Sequence, residues 1–217
     1  TFRDKELLKQ AFTHRSYINE HKRSKLEHNE RLEFLGDAVL ELAITKFLFE
    51  KYPDKPEGEL TAFRSALVNT TTLSRVGSAL GMSDFLLLSK GEAKDTGRAR
   101  QYILANTFEA VVGALYLDQG FDVAEQFITD HIVPLTEEVI SARLWQDAKS
   151  HFQEKAQEVH NVTPTYKTLK EEGPDHDKHF TVGVFLADEM VTSGTGKSKQ
   201  EAEQEAARNA LQQNGWV

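Results

Sequence analysis

Along the first two thirds of the chain, apolar residues recur every three or four positions, the spacing of helices that bury one side. The clearest run is Leu32, Leu35, Val39 and Leu42. It predicts a helix that ends near Tyr52, because Pro53 disfavours a helical residue before it. Similar spacing predicts helices over residues 1–12, 60–68, 72–80, 100–117 and 123–144. Gly81 and Gly120 stop two of these, and Pro134 bends or divides the last. No period-two alternation interrupts this half, so it reads as all-α. After Trp145 the texture changes. A helix over residues 148–160 precedes a strand-like segment to Leu169 and a turn at Gly173-Pro174-Asp175. Phe180, Val182, Val184 and Leu186 then alternate as a half-buried strand does, and residues 190–195 suit a third. Ser198 is a suitable N-cap for a final helix reaching about Gln213. Ala202, Ala206 and Ala210 on that helix form a small-residue face fit for close packing on a sheet. The pattern gives an α class followed by α+β: a helical domain (1–143), a short linker (144–147) and an α-β-β-β-α domain (148–217).

The helix beginning near Asn29 carries an unusual stripe. Glu30, Glu33 and Asp37 are spaced i, i+3, i+7, which stacks three acids along one side. Like charges so placed weaken a helix unless a cation or a partner charge offsets them. Gly36 lies beside them, where a glycine costs about 1 kcal/mol relative to alanine, and its expected use is close approach of another backbone or a substrate. The helix over 100–117 presents Asn106 and Glu109 at i, i+3 among Ile103, Leu104, Phe108, Val111 and Val112. Acids at such spacing on an arbitrary helix are usually a solvated face. Here they are interleaved with strongly apolar residues and recur on a second helix, which points to inward-facing oxygen ligands shared by two helices. All-oxygen ligation without cysteine or a helical histidine pair favours Mg²⁺, with Mn²⁺ as a substitute, over zinc. Hard divalent ions so held suit phosphodiester hydrolysis. His14, after a threonine at a helix end, reads as a capping or packing residue.

Composition narrows the setting. Of 217 residues, 39% are hydrophobic and 28% charged, and no apolar run is long enough to span a bilayer. With no cysteine there are no disulfides or thiolate metal sites, which fits a reducing compartment, and the cytoplasm is the expected location. The net charge of −8, from 26 basic and 34 acidic residues, argues by itself against a nucleic-acid partner. Position decides otherwise if the acids gather where cations bind and the lysines where phosphates bind.

Asn29-Glu30-Arg31-Leu32-Glu33-Phe34-Leu35-Gly36-Asp37 resembles the signature of the ribonuclease III family. Thr13-His14-Arg15-Ser16, Glu57-Gly58-Glu59-Leu60 and the run from Ile103 to Ala110 fall where that family has its other motifs. The carboxy-terminal part is similar to a double-stranded-RNA-binding domain. The resemblance implies a homodimer, with no small-molecule cofactor and no membrane attachment, that cuts duplex RNA with Mg²⁺ and leaves 5′-phosphate and 3′-hydroxyl ends. It implies roles in rRNA, mRNA, tRNA and small-RNA processing. By similarity Glu33, Asp37, Asn106 and Glu109 are the metal ligands, with Asp37 and Glu109 catalytic. Glu30 and Glu57 line the cleavage site, and Phe34 packs at the dimer interface. Asn106 departs from the pattern, where Asp is usual. An amide oxygen ligates Mg²⁺ but carries no charge. The alternative is therefore a non-cleaving duplex-RNA-binding protein of the same fold.

Duplex RNA is read through minor-groove hydroxyls and the phosphates between them. That task suits Gln153, Glu154 and Gln157 on the first helix of the second domain, and Pro174, Asp175 and His176 at its turn. Lys197, Ser198 and Lys199 stand at the start of the last helix, where free N–H groups attract anions. By similarity these are the RNA contacts. From residue 148 onward 8 basic face 11 acidic residues, so standalone binding is expected to be weak.

Overall fold

The computed structural model describes residues 1–141, 147–174 and 178–216. The chain divides into two compact units, Thr1–Trp145 and Gln146–Val217. Most of the expected linker, residues 144–146, lies outside the described residues.

Among the described residues the first unit has helices and no strand, with one isolated bridge between Thr13 and Leu87. Its helices are α1 (Lys5–Ala11), α2 (Arg15–Glu20), α3 (Glu30–Lys51), α4 (Glu57–Leu67), α5 (Thr70–Ala79), α6 (Arg98–Gln119), α7 (Phe121–His131) and α8 (Thr136–Ser141). Gly81 and Gly120 sit past the ends of α5 and α6 with φ of 70° and 89°, a backbone shape that costs glycine little. Pro134 divides the expected last helix, since a short 3₁₀ turn at Val133–Leu135 separates α7 from α8. The periodicity gave no sign of α2 as a separate helix. It is six residues long and held by its cap, His14, whose Nδ1 accepts from the Ser16 N–H at 3.3 Å. Burial lowers the His14 pKa, which keeps the imidazole in the neutral form that such a cap requires.

The core is built where α3 crosses α6. In α6 the buried side runs unbroken from Ala110 to Leu115. The two backbones touch because both contact points are glycines. A Cβ added at Gly36 would overlap the Glu109 carbonyl oxygen and lie 2.8 Å from the Gly113 nitrogen. One added at Gly113 would overlap the Leu32 carbonyl oxygen. The expectation for Gly36 is met by a helix backbone.

The second unit is α9 (Ala148–His160), β1 (Thr165–Glu172), β2 (His179–Leu186), β3 (Glu189–Gly196) and α10 (Lys199–Gln213). The strands form one antiparallel sheet in sequence order. Ala202, Ala206 and Ala210 are fully buried against it. Gly194 and Gly196 let α10 approach so closely that a Cβ at Gly196 would stand 2.5 Å from the Ala202 nitrogen. Asp147 caps α9 through the Lys149 and Ser150 N–H groups, and Gln204 of α10 donates to the same carboxylate at 2.9 Å. Among the described residues no helix is long and apolar enough to cross a membrane.

Gly36→Ala must force the α3–α6 crossing apart, and overpacking of this kind costs about 1–3 kcal/mol or more. Gly58, with no atom within 4 Å of its added Cβ, is the control. Thermal unfolding should show a clearly lowered midpoint for Gly36→Ala. Gly58→Ala should stay within about 1 kcal/mol of the parent.

Candidate metal centre

The glycine contact decides which side chains meet. Glu33 and Asp37 flank Gly36 on α3, while Asn106 and Glu109 precede Gly113 on α6, so the four lie near one another beside the crossing. Their electrostatics record it. Glu109, half-buried, is pushed up to about 8, first by desolvation, then by the facing charges of Asp37 and Glu33. The Glu33 pKa is also raised, by desolvation, Glu30 and Asp37, against a hydrogen bond donated by the Asn106 amide. Among the described residues no Lys, Arg or His lies within ion-pair distance of Glu33, Asp37 or Glu109. The nearby basic side chains go to Glu30 instead: the Arg15 guanidinium at 3.2 Å and the His28 imidazole at 3.7 Å.

Three acids facing one another, one held largely protonated at neutral pH and none paired with a cation, make a donor set short of positive charge. Its chemistry fits a hard divalent ion. Among the described residues no three His, Asp or Glu side chains already converge on one coordinating point. Asp37 and Glu33 are close enough to raise Glu109, and Glu30 and Asp37 close enough to raise Glu33. The structure brings Glu33, Asp37, Asn106, Glu109 and, at the edge, Glu30 into one group. Glu57 is not among them: it is exposed at the start of α4, with its carboxylate accepting from Thr61 Oγ1 at 2.9 Å. Asn29, buried at the start of α3, was not singled out from the sequence as a support. Its side chain donates to the Ala11 carbonyl at 3.0 Å and its N–H to the Thr13 carbonyl at 2.9 Å, which ties α1 to the acidic helix.

One face of α3 is apolar and uncovered. Phe34, Leu42 and Phe49 are 81%, 57% and 69% exposed. With Ala38 they form one stripe at helical spacing.

In the second unit Gln153, Glu154 and Gln157 are exposed on α9, as is Pro174 after β1. Asp175 and His176 lie outside the described residues. Ser198 caps α10 by accepting from the Glu201 N–H at 3.1 Å, and the Glu201 carboxylate accepts from the Lys197 N–H at 2.9 Å. Lys199 reaches back to Glu171 of β1 at 2.8 Å and lies over the Phe180 ring. An acid therefore already holds one of the cations expected to meet phosphate. The sequence hid this pairing, since Glu171 and Lys199 lie on different elements.

Residues 4–135 match the family described as Ribonuclease-III-like, and residues 148–214 match the double-stranded RNA binding motif. Ribonuclease 3 of Oceanobacillus iheyensis is 47% identical over 97% of this chain and 92% of its own length. Ribonuclease 3 of Streptococcus mutans is 48% identical over 97% and 91%. The nuclease domain of ribonuclease III from Campylobacter jejuni, described for flexibility in a region involved in dimer formation, superposes with a TM-score of 0.55. That domain is 39% identical and covers 64% of this chain and 90% of its own.

Two outcomes follow from the charges. An acid whose pKa rises on folding costs stability when it ionises; for Glu109 that cost is absent well below 4.5 and complete above about 8. In chelator, Glu109→Gln should therefore raise the unfolding midpoint at pH 8–9 and leave it unchanged near pH 4. A pH-independent gain would refute the coupling. Glu171→Gln frees Lys199 and should tighten duplex-RNA binding by roughly two- to fivefold, the value of one exposed ion pair. Titration of the full chain in chelator measures it.

Proposed function

The chain belongs to the ribonuclease III family, and from that premise we propose that it is an endoribonuclease hydrolysing phosphodiester bonds in duplex RNA. The observation that carries the reading is the cation-seeking acid group at the α3–α6 crossing, with Glu109 pushed up to about 8. Glu33, Asp37, Asn106 and Glu109 would hold Mg²⁺, or Mn²⁺ in its place, which supplies an activated water and neutralises charge on the leaving oxygen. Glu109 would bind the ion as the carboxylate, the form that metal ligation requires. The Asn106 amide faces Glu33 and favours that carboxylate's ionised form, against the burial and neighbouring charges that raise its pKa. With an amide in this place the centre carries three acids instead of four, which lessens repulsion at the cost of one anionic ligand. Glu30, steadied by Arg15 and His28, lines the approach to the cluster. The products are 5′-phosphate and 3′-hydroxyl ends, and the substrates are structured precursors of ribosomal, messenger, transfer and small RNAs.

The second unit holds the duplex through Gln153, Glu154 and Gln157 on α9, Pro174 with Asp175 and His176 at the turn, and Lys197, Ser198 and Lys199 at the start of α10. The working form is a homodimer. Phe34, Leu42 and Phe49 would bury their exposed faces against the same stripe of a second copy, which a two-fold axis allows. Asp37 and Glu33 flank this stripe, so pairing would bring two centres to one side of the assembly. The cytoplasm is the proposed location.

The test is incubation of the purified chain with duplex RNA, single-stranded RNA and duplex DNA, with and without Mg²⁺. Only duplex RNA with Mg²⁺ should be cut, Glu109→Gln should lose at least about 100-fold in rate, and Asn106→Asp should remain active. Binding of duplex RNA without cleavage, by the parent and by Asn106→Asp alike, would sink the metal assignment and leave the non-cleaving alternative.

A further inference from the structure

A groove of about 950 Å³ lies on the first unit, walled by α1, α2 and the segment that joins α2 to α3. Lys9, Lys22, Arg23 and Lys25 line it against two acids, Glu6 and Glu20. That balance inverts the chain's own, which has 26 basic and 34 acidic residues. Among the described residues none of the four cations is in an ion pair. The Glu20 carboxylate, by contrast, is occupied by the Lys90 N–H at 3.1 Å. Four unpaired cations in one concavity repel one another, and a polyanion relieves that repulsion.

The same groove contains a flat aromatic surface. The rings of Tyr17 and His21 stack with centroids 4.1 Å apart and planes 18° from parallel. The stack is fixed because His21 Nδ1 and the His21 N–H both meet the Tyr17 carbonyl at 2.9 Å. His21 is exposed, so its outer face is open to another ring. Cations beside a stacking face are the elements that bind unpaired nucleic acid, where phosphates meet the charges and a base lies on the ring. A duplex makes no use of such a face, because its bases are stacked inside the helix. The place also suits: Lys25 stands five residues before Glu30, so at most about 18 Å of extended chain separates the two.

We propose that this groove holds single-stranded RNA running on from the end of a duplex, with Lys22, Arg23 and Lys25 on its phosphates and a base on the Tyr17–His21 stack. The inference rests on the ribonuclease reading of the chain. The experiment measures binding of the full chain, in chelator, to a blunt RNA duplex and to the same duplex bearing a single-stranded tail. The wild type should bind the tailed RNA about tenfold more tightly, the value of one stacked base with its phosphates. Lys22→Ala/Arg23→Ala/Lys25→Ala should abolish that gain and lower the slope of log affinity against log salt for tailed RNA by about 2, near 0.7 for each of three phosphates. His21→Ala should lose part of the gain with the slope unchanged. Both variants should bind and cut the blunt duplex as the wild type does, with unaltered thermal midpoints. No tail advantage in the wild type, or equal weakening of blunt and tailed RNA in the triple variant, overturns the proposal. Failure of the ribonuclease reading shows separately, as no cleavage of any duplex with Mg²⁺.

Discussion

The backbone contact between α3 and α6 is the constraint on which the first unit depends. Two glycines, Gly36 and Gly113, remove the side chains that would hold the helices at ordinary spacing. Each gives up about 1 kcal/mol of helix propensity. In return the carboxylates on either side of the crossing face one another, and Glu109 is driven to a proton affinity no isolated glutamate has. Repulsion among those acids opposes the packing. The apolar wall behind them, Ala110 to Leu115 on α6 with Val39, Leu40, Ala43 and Ile44 on α3, holds the helices together against it. The site is thus strained in charge and braced in packing, as a centre must be if it is to attract a cation without collapsing first.

Net charge misleads for this molecule because charge is sorted by place. Glu33, Asp37 and Glu109 gather at the helix crossing, with Glu30 at the edge, and the lysines of the second unit are partly engaged by acids of their own sheet and helix, Glu171 and Glu203. Unengaged cations gather in the groove beside α2. A chain that is acidic in sum can therefore offer a polyanion local attraction at several places, each of modest strength.

Much of this was legible in the residues. The three- and four-residue spacing placed α3, α6 and α9, the alternation from Phe180 to Leu186 placed β2, and Ser198 marked the start of α10. The acidic stripe announced itself because repulsive spacing on an apolar helix has no structural use. What stayed hidden was partnership across sequence. Gly113 lies in an apolar run where spacing does not mark its contact with Leu32. The ion pair of Lys199 with Glu171 and the stacking of Tyr17 on His21 depend on backbone geometry that spacing alone does not give. Glu57 fell in a family motif, yet within one chain its carboxylate turns to Thr61. Helix α2 escaped notice because its stability comes from the His14 cap, not from a buried stripe.

The tie between Lys199 and Glu171 has a thermodynamic consequence. Protein–RNA association ordinarily draws on the entropy of ions expelled from around the phosphates. A phosphate that takes Lys199 leaves Glu171 with only the weaker field of Lys178, and the less compensated carboxylate draws cations from solution. Ions shed by the RNA and ions gathered by the protein then cancel in part. The second unit is thereby suited to a grip of moderate strength that changes little as the surrounding electrolyte varies.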